Sequence, residues 1–243
     1  MSKEKLDCLL KPLVKKAIKL EPIANETASA VSYESKFGGL PYAEIGDTWP
    51  SCPTCKKELT FINQIHDEIE QHLFVFYYCK ECFPWGLDDE EKGQWLVKLY
   101  EEPSSEKIVQ INRNSNDESA PRPCKVIASS VDVLPDWEGL SSASKEANDL
   151  CCKINDDSPW DVYEEAVLRA GCLNNYETLL GGYPRFVQGE ARYTCPKCNT
   201  EMKFYAQVDS EDDAGIMWGD IGLVYFFQCP KHKNEFQLEL QCH

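Results

Sequence analysis

The first twenty residues carry apolar side chains at the spacing of an amphipathic helix. Leucine, valine, alanine and isoleucine recur every third or fourth position from Leu6 to Ile18, which is the repeat of one helix face. We therefore predict a helix over residues 3–20, kinked or restarted at Pro12 because proline lacks the N–H that a helix interior uses. Residues 1–29 would form an N-terminal amphipathic segment.

The same segment is locally basic. Residues 3–20 contain six lysines against two acids, a local charge of +4. We expect the helix to dock on an acidic surface of the same protein. The alternative is a basic helix that lies on a membrane surface.

Apolar runs rich in aromatic and β-branched residues predict strands further along the chain. Residues 59–65 and 72–79 form the first such pair. The second run is apolar on both faces, so we expect a central strand that is buried on both sides. Further strands are predicted over residues 94–100, 107–112 and 235–241, a loop over 113–123, and mostly irregular structure over 130–143.

Helical spacing returns in the middle of the chain. Residues 144–153 and 160–170 have apolar positions three and four apart, and Asp157 or Ser158 is placed to cap the second helix. We predict that residues 126–175 form a helical linker.

The regions on either side of this linker contain the same motifs in the same order. Each has a Gly-Gly-x-Pro turn, a Cys-Pro-x-Cys pair, an apolar strand with a glutamine, a second apolar strand and a second Cys-containing pair. Matching positions lie 143 residues apart as far as the glutamine and 150 apart afterwards, which marks an insertion in the second copy. Such a register indicates an internal duplication. We predict β repeats over residues 30–125 and 176–243.

Composition and charge limit the classes of function. The 243-residue chain is 42% hydrophobic with a formal charge of −16, which is typical of a folded domain. Nucleic-acid binding is disfavoured because phosphate contacts need lysine and arginine. A basic protein partner fits the charge, and solubility alone is the alternative explanation. The sequence shows no apolar run of about 18 residues and no export signal, so we expect a cytoplasmic protein without a membrane span.

Seven of the thirteen cysteines occur in four short pairs with the spacing of metal ligands. In a chain without an export signal, this spacing predicts metal binding rather than disulfides. One pair precedes a strand and the other follows its neighbour, so each hairpin should bring two pairs together. Zinc takes four sulfur or nitrogen ligands in a tetrahedron. We therefore predict two Zn2+ sites, formed by Cys52, Cys55, Cys79 and Cys82 in the first copy and by Cys195, Cys198, Cys229 and His232 in the second.

Four protein ligands close each predicted site. No position remains for a catalytic water, so both ions would be structural. Cys242 or His243 is an alternative ligand at the second site. The six cysteines outside the pairs are expected to be reduced, partly buried thiols.

Four further residues are candidates for binding. Gln64 and Gln207 occupy equivalent positions in apolar strands, and a buried amide needs partners at both ends. We expect the backbone of the Gly-Gly-x-Pro turn to supply them, with the backbone of a bound polypeptide as the alternative. Trp218 would fill the gap between the copies and Asp220 would cap or pair nearby; an ordinary core tryptophan beside a turn aspartate is the other interpretation.

The inserted stretch of the second copy is acidic from Asp209 to Asp213. A solvated hairpin loop is the simplest expectation and contact with a basic partner the next, since the spacing is not that of an EF-hand. We predict no catalytic residues. His66 and Asp67 at a strand end are the remaining acid–base candidates, and a loop pair is the simpler interpretation.

Several of these stretches resemble a known family. The bacterial YwqG-like family, a domain family of unknown function, is similar at residues 35–41, 49–50, 59–65, 209–220 and 224–227. The resemblance covers roughly residues 30–243. Many members lack the cysteine pairs, so the zinc prediction depends on this chain's own cysteines. The YwqG-like family has been suggested to include immunity proteins that neutralise toxins.

The motif order is also similar to the eukaryotic escort proteins related to programmed cell death protein two, although this chain has no MYND finger. Those proteins hold a basic ribosomal protein during its delivery.

Together these features predict an α+β, mainly antiparallel β fold with two pseudo-symmetric, zinc-clipped subdomains, an N-terminal helix and a helical linker. The function expected is non-enzymatic: binding of a basic polypeptide between the copies, in an escort or toxin-immunity role. The alternative is a metal-assisted hydrolase or other enzyme with a pocket at that seam, served by His66, Asp67 or the carboxylates between Asp209 and Asp220.

Overall fold

Ten strands form one sheet in which every neighbouring pair is antiparallel. The computed structural model describes residues 2–86, 91–114 and 117–243, and this part contains the ten strands and four α-helices. The α+β, mainly antiparallel prediction is confirmed. The strands are β1 (Lys15–Ala24), β2 (Lys36–Phe37), β3 (Thr60–Asp67), β4 (His72–Tyr78), β5 (Trp95–Glu101), β6 (Cys124–Val133), β7 (Leu179–Leu180), β8 (Lys203–Asp209), β9 (Leu223–Gln228) and β10 (Phe236–Gln241). The helices are α1 (Ser2–Leu10), α2 (Trp137–Ala143), α3 (Lys145–Ile154) and α4 (Pro159–Arg169).

The strand order reflects the duplication. It runs β10-β9-β8-β7-β1-β6-β2-β3-β4-β5, so β2 to β5 of the first copy and β7 to β10 of the second lie on opposite sides of a central pair. That pair is β1 and β6, which run from Lys15 opposite Val133 to Ala24 opposite Cys124. The two copies are therefore halves of one sheet, and the predicted division into two subdomains needs this correction. The two-residue strands β2 and β7 each pair on one side with the central pair, β2 with the start of β6 and β7 with β1.

The sheet curls into a nearly closed barrel with one shared core. Near the edge strands, the Leu240 N–H donates to the Trp85 carbonyl over 2.9 Å. Inside, Phe74 and Phe76 of β4 contact Phe226 of β9, with ring centroids 4.8 and 4.7 Å apart. Aromatic side chains thus fill the interior between the copies, where the sequence predicted a binding seam.

Strand β4 is buried on both faces, as its sequence predicts. Its inner side chains pack into the shared core, and its outer ones pack with the first cysteine cluster. Strand β9 is arranged in the same way around the second cluster. The predicted strand at 235–241 and both linker helices are confirmed within one residue as β10, α3 and α4.

The N-terminal prediction is correct only in its first half. Helix α1 ends at Leu10, a 3-10 turn covers Lys11–Leu13, and residues 15–24 are strand β1 rather than helix. Strand β1 lies in the middle of the sheet and is partly covered on both faces, so its apolar positions do not alternate and fit a helix as well. Docking of α1 on the protein itself is confirmed: Leu6 and Leu10 are buried against α3 and α4, and the Lys3 ammonium pairs with Glu165 over 2.8 Å.

Two further predictions are wrong. Residues 107–112 are not a strand; Val109 donates one hydrogen bond to the Ala43 carbonyl but has no strand beside it. Residues 130–143 are ordered as the end of β6 and as α2, which begins where the Asp136 carboxylate accepts the Gly139 N–H over 2.7 Å. The predicted linker at 126–175 therefore begins inside β6. Exposed polar residues occur on both faces of β6, as at Ser129 and Ser130, and they hide its strand character, which depends on the distant partner β1.

Candidate metal centres and the acidic insertion

The four cysteines of the first copy converge on one point. The Cys52 and Cys82 sulfurs are 3.7 Å apart and the Cys55 and Cys79 sulfurs 3.5 Å apart, and all four lie within 4.8 Å of one another. A zinc–sulfur bond of about 2.3 Å gives a tetrahedron with edges of roughly 3.8 Å. A disulfide would need a distance of about 2.05 Å. The donor set and its spacing therefore fit a four-coordinate zinc ion.

The second copy brings three cysteines and one histidine together in the same way. The Cys198 and Cys229 sulfurs are 3.7 Å apart, and His232 Nδ1 lies 3.6 Å from the Cys195 sulfur. These four donors also lie within 4.8 Å of one another. The convergence predicted for both ligand sets is confirmed, with His232 offering Nδ1.

The same type of turn holds the first cysteine pair of each cluster. The Cys52 N–H donates to the Lys57 carbonyl over 2.8 Å, and the Lys56 N–H donates back to the Cys52 carbonyl over 3.0 Å. Lys56 has a φ of 63°, and Asn199, its equivalent 143 residues later, a φ of 53°. The β3–β4 and β8–β9 hairpins then return the second pair to the first. Hydrogen bonds from the Thr200 side chain and backbone lower the pKa of the Cys198 thiol, whereas desolvation raises the pKa of the Cys195 thiol in the same cluster.

The alternative ligands at the chain end take no part in the second cluster. Cys242 lies beside Gly219, and the His243 ring contacts Tyr176 with centroids 5.7 Å apart. The six cysteines outside the clusters are free thiols, of which Cys8 is exposed.

The two buried glutamines bind backbone groups next to the Gly-Gly-x-Pro turns rather than the four turn residues that the sequence predicted as their partners. Gln64 accepts the Tyr42 N–H over 2.9 Å and donates to two carbonyls, and Gln207 accepts the Arg185 N–H over 3.0 Å and donates to the Glu177 carbonyl. Tyr42 and Arg185 directly follow the two prolines. Both amides are buried and occupied within the protein, so the alternative of contact with a bound polypeptide finds no support here.

Trp218 fills the space between the copies, as predicted. Its ring is fully buried and lies 5.1 Å from Tyr78 and 6.2 Å from Phe76 of the first copy. The indole N–H donates to the Asp209 carbonyl over 3.2 Å. Asp220 is exposed, and its backbone carbonyl, rather than its carboxylate, accepts the His243 N–H over 3.2 Å.

The insertion of the second copy, residues 209–221, connects β8 to β9 and docks on the first copy. The Arg122 N–H donates to the Ala214 carbonyl over 2.8 Å, and the Arg122 side chain donates to the Asp213 carbonyl over 2.9 Å. The sequence contained no signal for Arg122, because the contact depends on how the sheet curls.

The insertion forms one wall of a groove of about 420 Å³, called the insertion groove below. Its lining includes four carboxylates and two apolar side chains: Glu21, Glu211, Asp212, Asp213, Met217 and Ile221. Burial raises the pKa of Glu211 in this lining to about 7. The groove is thus acidic, and its acidity depends on pH.

The proposed acid–base pair of the first copy is not assembled. The Asp67 carboxylate accepts the N–H groups of Ile69 and Glu70, both over 3.0 Å, so it caps the β3–β4 turn. The His66 ring packs edge-on against Tyr33 with centroids 5.6 Å apart, and its Nε2 is buried without a partner.

The fold and its donor sets define a class of protein: a duplicated, nearly closed antiparallel barrel in which each copy has one four-donor cluster that could hold a metal ion. This chain belongs to the family described as "Domain of unknown function (DUF1963)", whose sequence model matches residues 35–233. The expectation of an uncharacterised domain family is confirmed. No curated protein matches the chain. Within the described residues, no helix has the length and apolar character needed to cross a membrane.

Proposed function

We propose that this chain is a non-catalytic, zinc-stabilised module that binds a basic polypeptide. The observation that carries the proposal is the insertion, where the two copies differ. It exposes carboxylates beside the seam and is held on the first copy by Arg122. Acidic surfaces of this kind attract lysine- and arginine-rich partners and speed their association.

The two zinc ions have a structural role in this proposal. Each cluster offers four protein donors, which leaves no coordination position for substrate or water. The clusters lie at one end of the β3–β4 and β8–β9 hairpins, and the insertion lies at the other end of the second hairpin. Zinc therefore holds the strands that carry the binding surface without contacting the partner.

An escort or toxin-immunity role agrees with this arrangement and with the families that the sequence resembles. Both roles require a partner to be held and neither requires chemistry. Reduced thiols agree with a cytoplasmic location. The alternative, a metal-assisted hydrolase, has less support, because aromatic rings fill the seam and Asp67 caps a turn.

The proposal is tested with purified protein and defined probes. Elemental analysis should give two zinc ions per chain. Lysine- and arginine-rich synthetic peptides should bind at low ionic strength and be released as salt rises, because screening weakens interactions between exposed charges. Glutamate-rich peptides of the same length are the matched control. Equal binding of basic and acidic peptides, or no binding of the basic ones, would contradict the proposal.

A further inference from the structure

Large apolar side chains are unusually exposed around the insertion groove. Met217 and Ile221 in its lining are 50% and 61% exposed, and Ile23 and Ile127 on the adjoining strands are 42% and 54% exposed. These are four of the nine large hydrophobic residues that are exposed in the described part of the chain. Clustered exposure of this kind marks interaction surfaces, whereas single exposed residues do not.

The sheet register places these strand residues together. Glu21, which lines the groove, lies opposite Ile127, and Ile23 follows two positions along β1. Side chains two apart in a strand, and those directly opposite in a pair, share one face of a sheet. Ile23, Ile127 and Glu21 therefore point from the same outer face.

This outer face is covered at one end and bare at the other. At the start of β1, Ala17 is buried in a cluster with Val133 that Leu173 and Tyr183 help to cover. From Glu21 onwards the face is exposed. The bare end adjoins the insertion, so sheet and insertion form two sides of a continuous surface.

Ile221, which is exposed, has a backbone conformation that is uncommon for isoleucine. Its φ is 52°, in the left-handed region that a β-branched residue rarely adopts. The side chain is mostly exposed, so burial within the chain does little to offset the cost of this strain. Strained residues of this kind concentrate at functional sites.

The charge of the groove favours a basic partner. Four carboxylates line the groove, and three cations lie close to it: Arg122 contacts the insertion, while Lys19 and Lys125 are on the same outer face of β1 and β6, with Lys125 directly opposite Ile23. Two of these cations already have partners, since Lys19 pairs with Glu177 over 2.8 Å and Arg122 binds backbone carbonyls. The lining itself holds no basic side chain.

We propose that the insertion groove and the adjoining β1–β6 face bind one segment of the basic partner, in which lysine or arginine residues are mixed with aliphatic ones. The inference rests on the proposed function and adds the place and chemistry of recognition. The aliphatic side chains pack on Ile23, Ile127, Met217 and Ile221, and the basic ones meet the groove carboxylates. A second copy of this chain is disfavoured as the occupant, because its net charge is also −16.

Three labelled peptides of equal length separate apolar from electrostatic recognition: lysine–leucine, lysine–serine and glutamate–leucine. Fluorescence anisotropy should show the tightest binding for lysine–leucine, about tenfold weaker binding for lysine–serine, and none for glutamate–leucine. Tenfold corresponds to the partial burial of one or two aliphatic side chains.

Two variants locate the site. The double change Met217→Ser with Ile221→Asn should weaken lysine–leucine binding about tenfold and leave lysine–serine binding unchanged; asparagine tolerates the left-handed conformation. Asp212→Asn with Asp213→Asn should weaken both basic peptides about fivefold at low salt and flatten the salt dependence. The matched controls are Ile69→Asn, at the exposed turn of the first copy, and Asp156→Asn with Asp157→Asn, a second exposed pair of aspartates. Neither control should change binding.

The outcomes separate the two proposals. If the unaltered protein binds neither basic peptide, the proposed function fails and this inference fails with it. If it binds them but both groove variants bind equally well, this inference fails; binding of basic polypeptides then stands as a measured property, carried by an acidic surface other than the insertion. Light scattering that shows a dimer, lost only in the Met217→Ser, Ile221→Asn variant, would assign the face to self-association and overturn the inference.

Discussion

The β3–β4 hairpin of the first copy and the β8–β9 hairpin of the second have matching strands but different turns. Both carry a four-donor cluster that could hold a metal ion and a buried glutamine at equivalent positions. The first turn is short and capped by Asp67, whereas the second contains the insertion and sends Trp218 into the core against Tyr78 of the first copy. The features that hold each hairpin are therefore shared, and those that shape the surface at the seam belong to one copy alone.

In our proposal the shared features form the scaffold, and the insertion of the second copy forms the binding surface. If zinc and glutamine serve the scaffold, equivalent changes in the two copies should have similar consequences. If the insertion serves binding, changes there should have no counterpart in the first copy.

Loss of one metal ligand should have the largest effect. Cys55→Ser and Cys198→Ser should each remove one of two zinc ions and lower the free energy of unfolding by several kcal/mol, because structural zinc binding is worth on the order of 10 kcal/mol. Metal analysis and hydrogen exchange should show the loss and a loosened hairpin in the altered copy only. Cys242→Ser, outside both clusters, is the control. Retention of two zinc ions in either ligand variant would refute the assignment.

Trp218→Ala should cause the second-largest loss of stability. The ring is fully buried between the copies, so its removal leaves a cavity and should cost about 3–5 kcal/mol in chemical unfolding. Ile69→Ala, at the exposed turn of the first copy, should change stability by less than about 0.5 kcal/mol. A similar small effect for both would mean that the insertion does not join the copies.

The glutamines provide a direct comparison between the copies. Gln64→Leu and Gln207→Leu each leave a backbone N–H without its acceptor and should cost about 1–3 kcal/mol. Gln64 makes three hydrogen bonds and Gln207 two, so the first variant should be the less stable in urea. Leucine keeps a similar volume and isolates the hydrogen bonds from packing. A neutral result at both positions would contradict their role in holding the turns.

Local patterns made the convergence of the cysteine-containing pairs predictable from sequence, and they placed the glutamine contacts close to the Gly-Gly-x-Pro turns. The two members of each pair are three residues apart in the chain. The duplication supplied a second, independent instance of each motif. Strand β1 was missed because its neighbours β6 and β7 are distant in sequence, and a strand covered on both faces lacks alternation. For the same reason Ile23 and Ile127 could not be recognised as surface residues: their exposure depends on where the cover over the β1–β6 face ends.

The smallest expected effect is the contribution of Glu211 to the pH dependence of folding stability. Burial raises its pKa from 4.5 to about 7, although the Thr178 hydroxyl donates to its carboxylate, and Asp209 and Glu177 add to the rise while Lys19 opposes it. The folded state therefore holds this proton more tightly than the unfolded state, and its contribution to stability is lost as pH increases from about 4.5 through 7.

Glu211→Gln removes this titration while keeping an acceptor for Thr178. The melting temperature of the variant should exceed that of the unaltered protein at pH 8, and the difference should shrink towards pH 5. Asp212→Asn, an exposed carboxylate of the same insertion, is the matched control. A constant difference across this range would show that Glu211 is ionised in the folded protein throughout, and the groove would then keep its full negative charge at every pH tested.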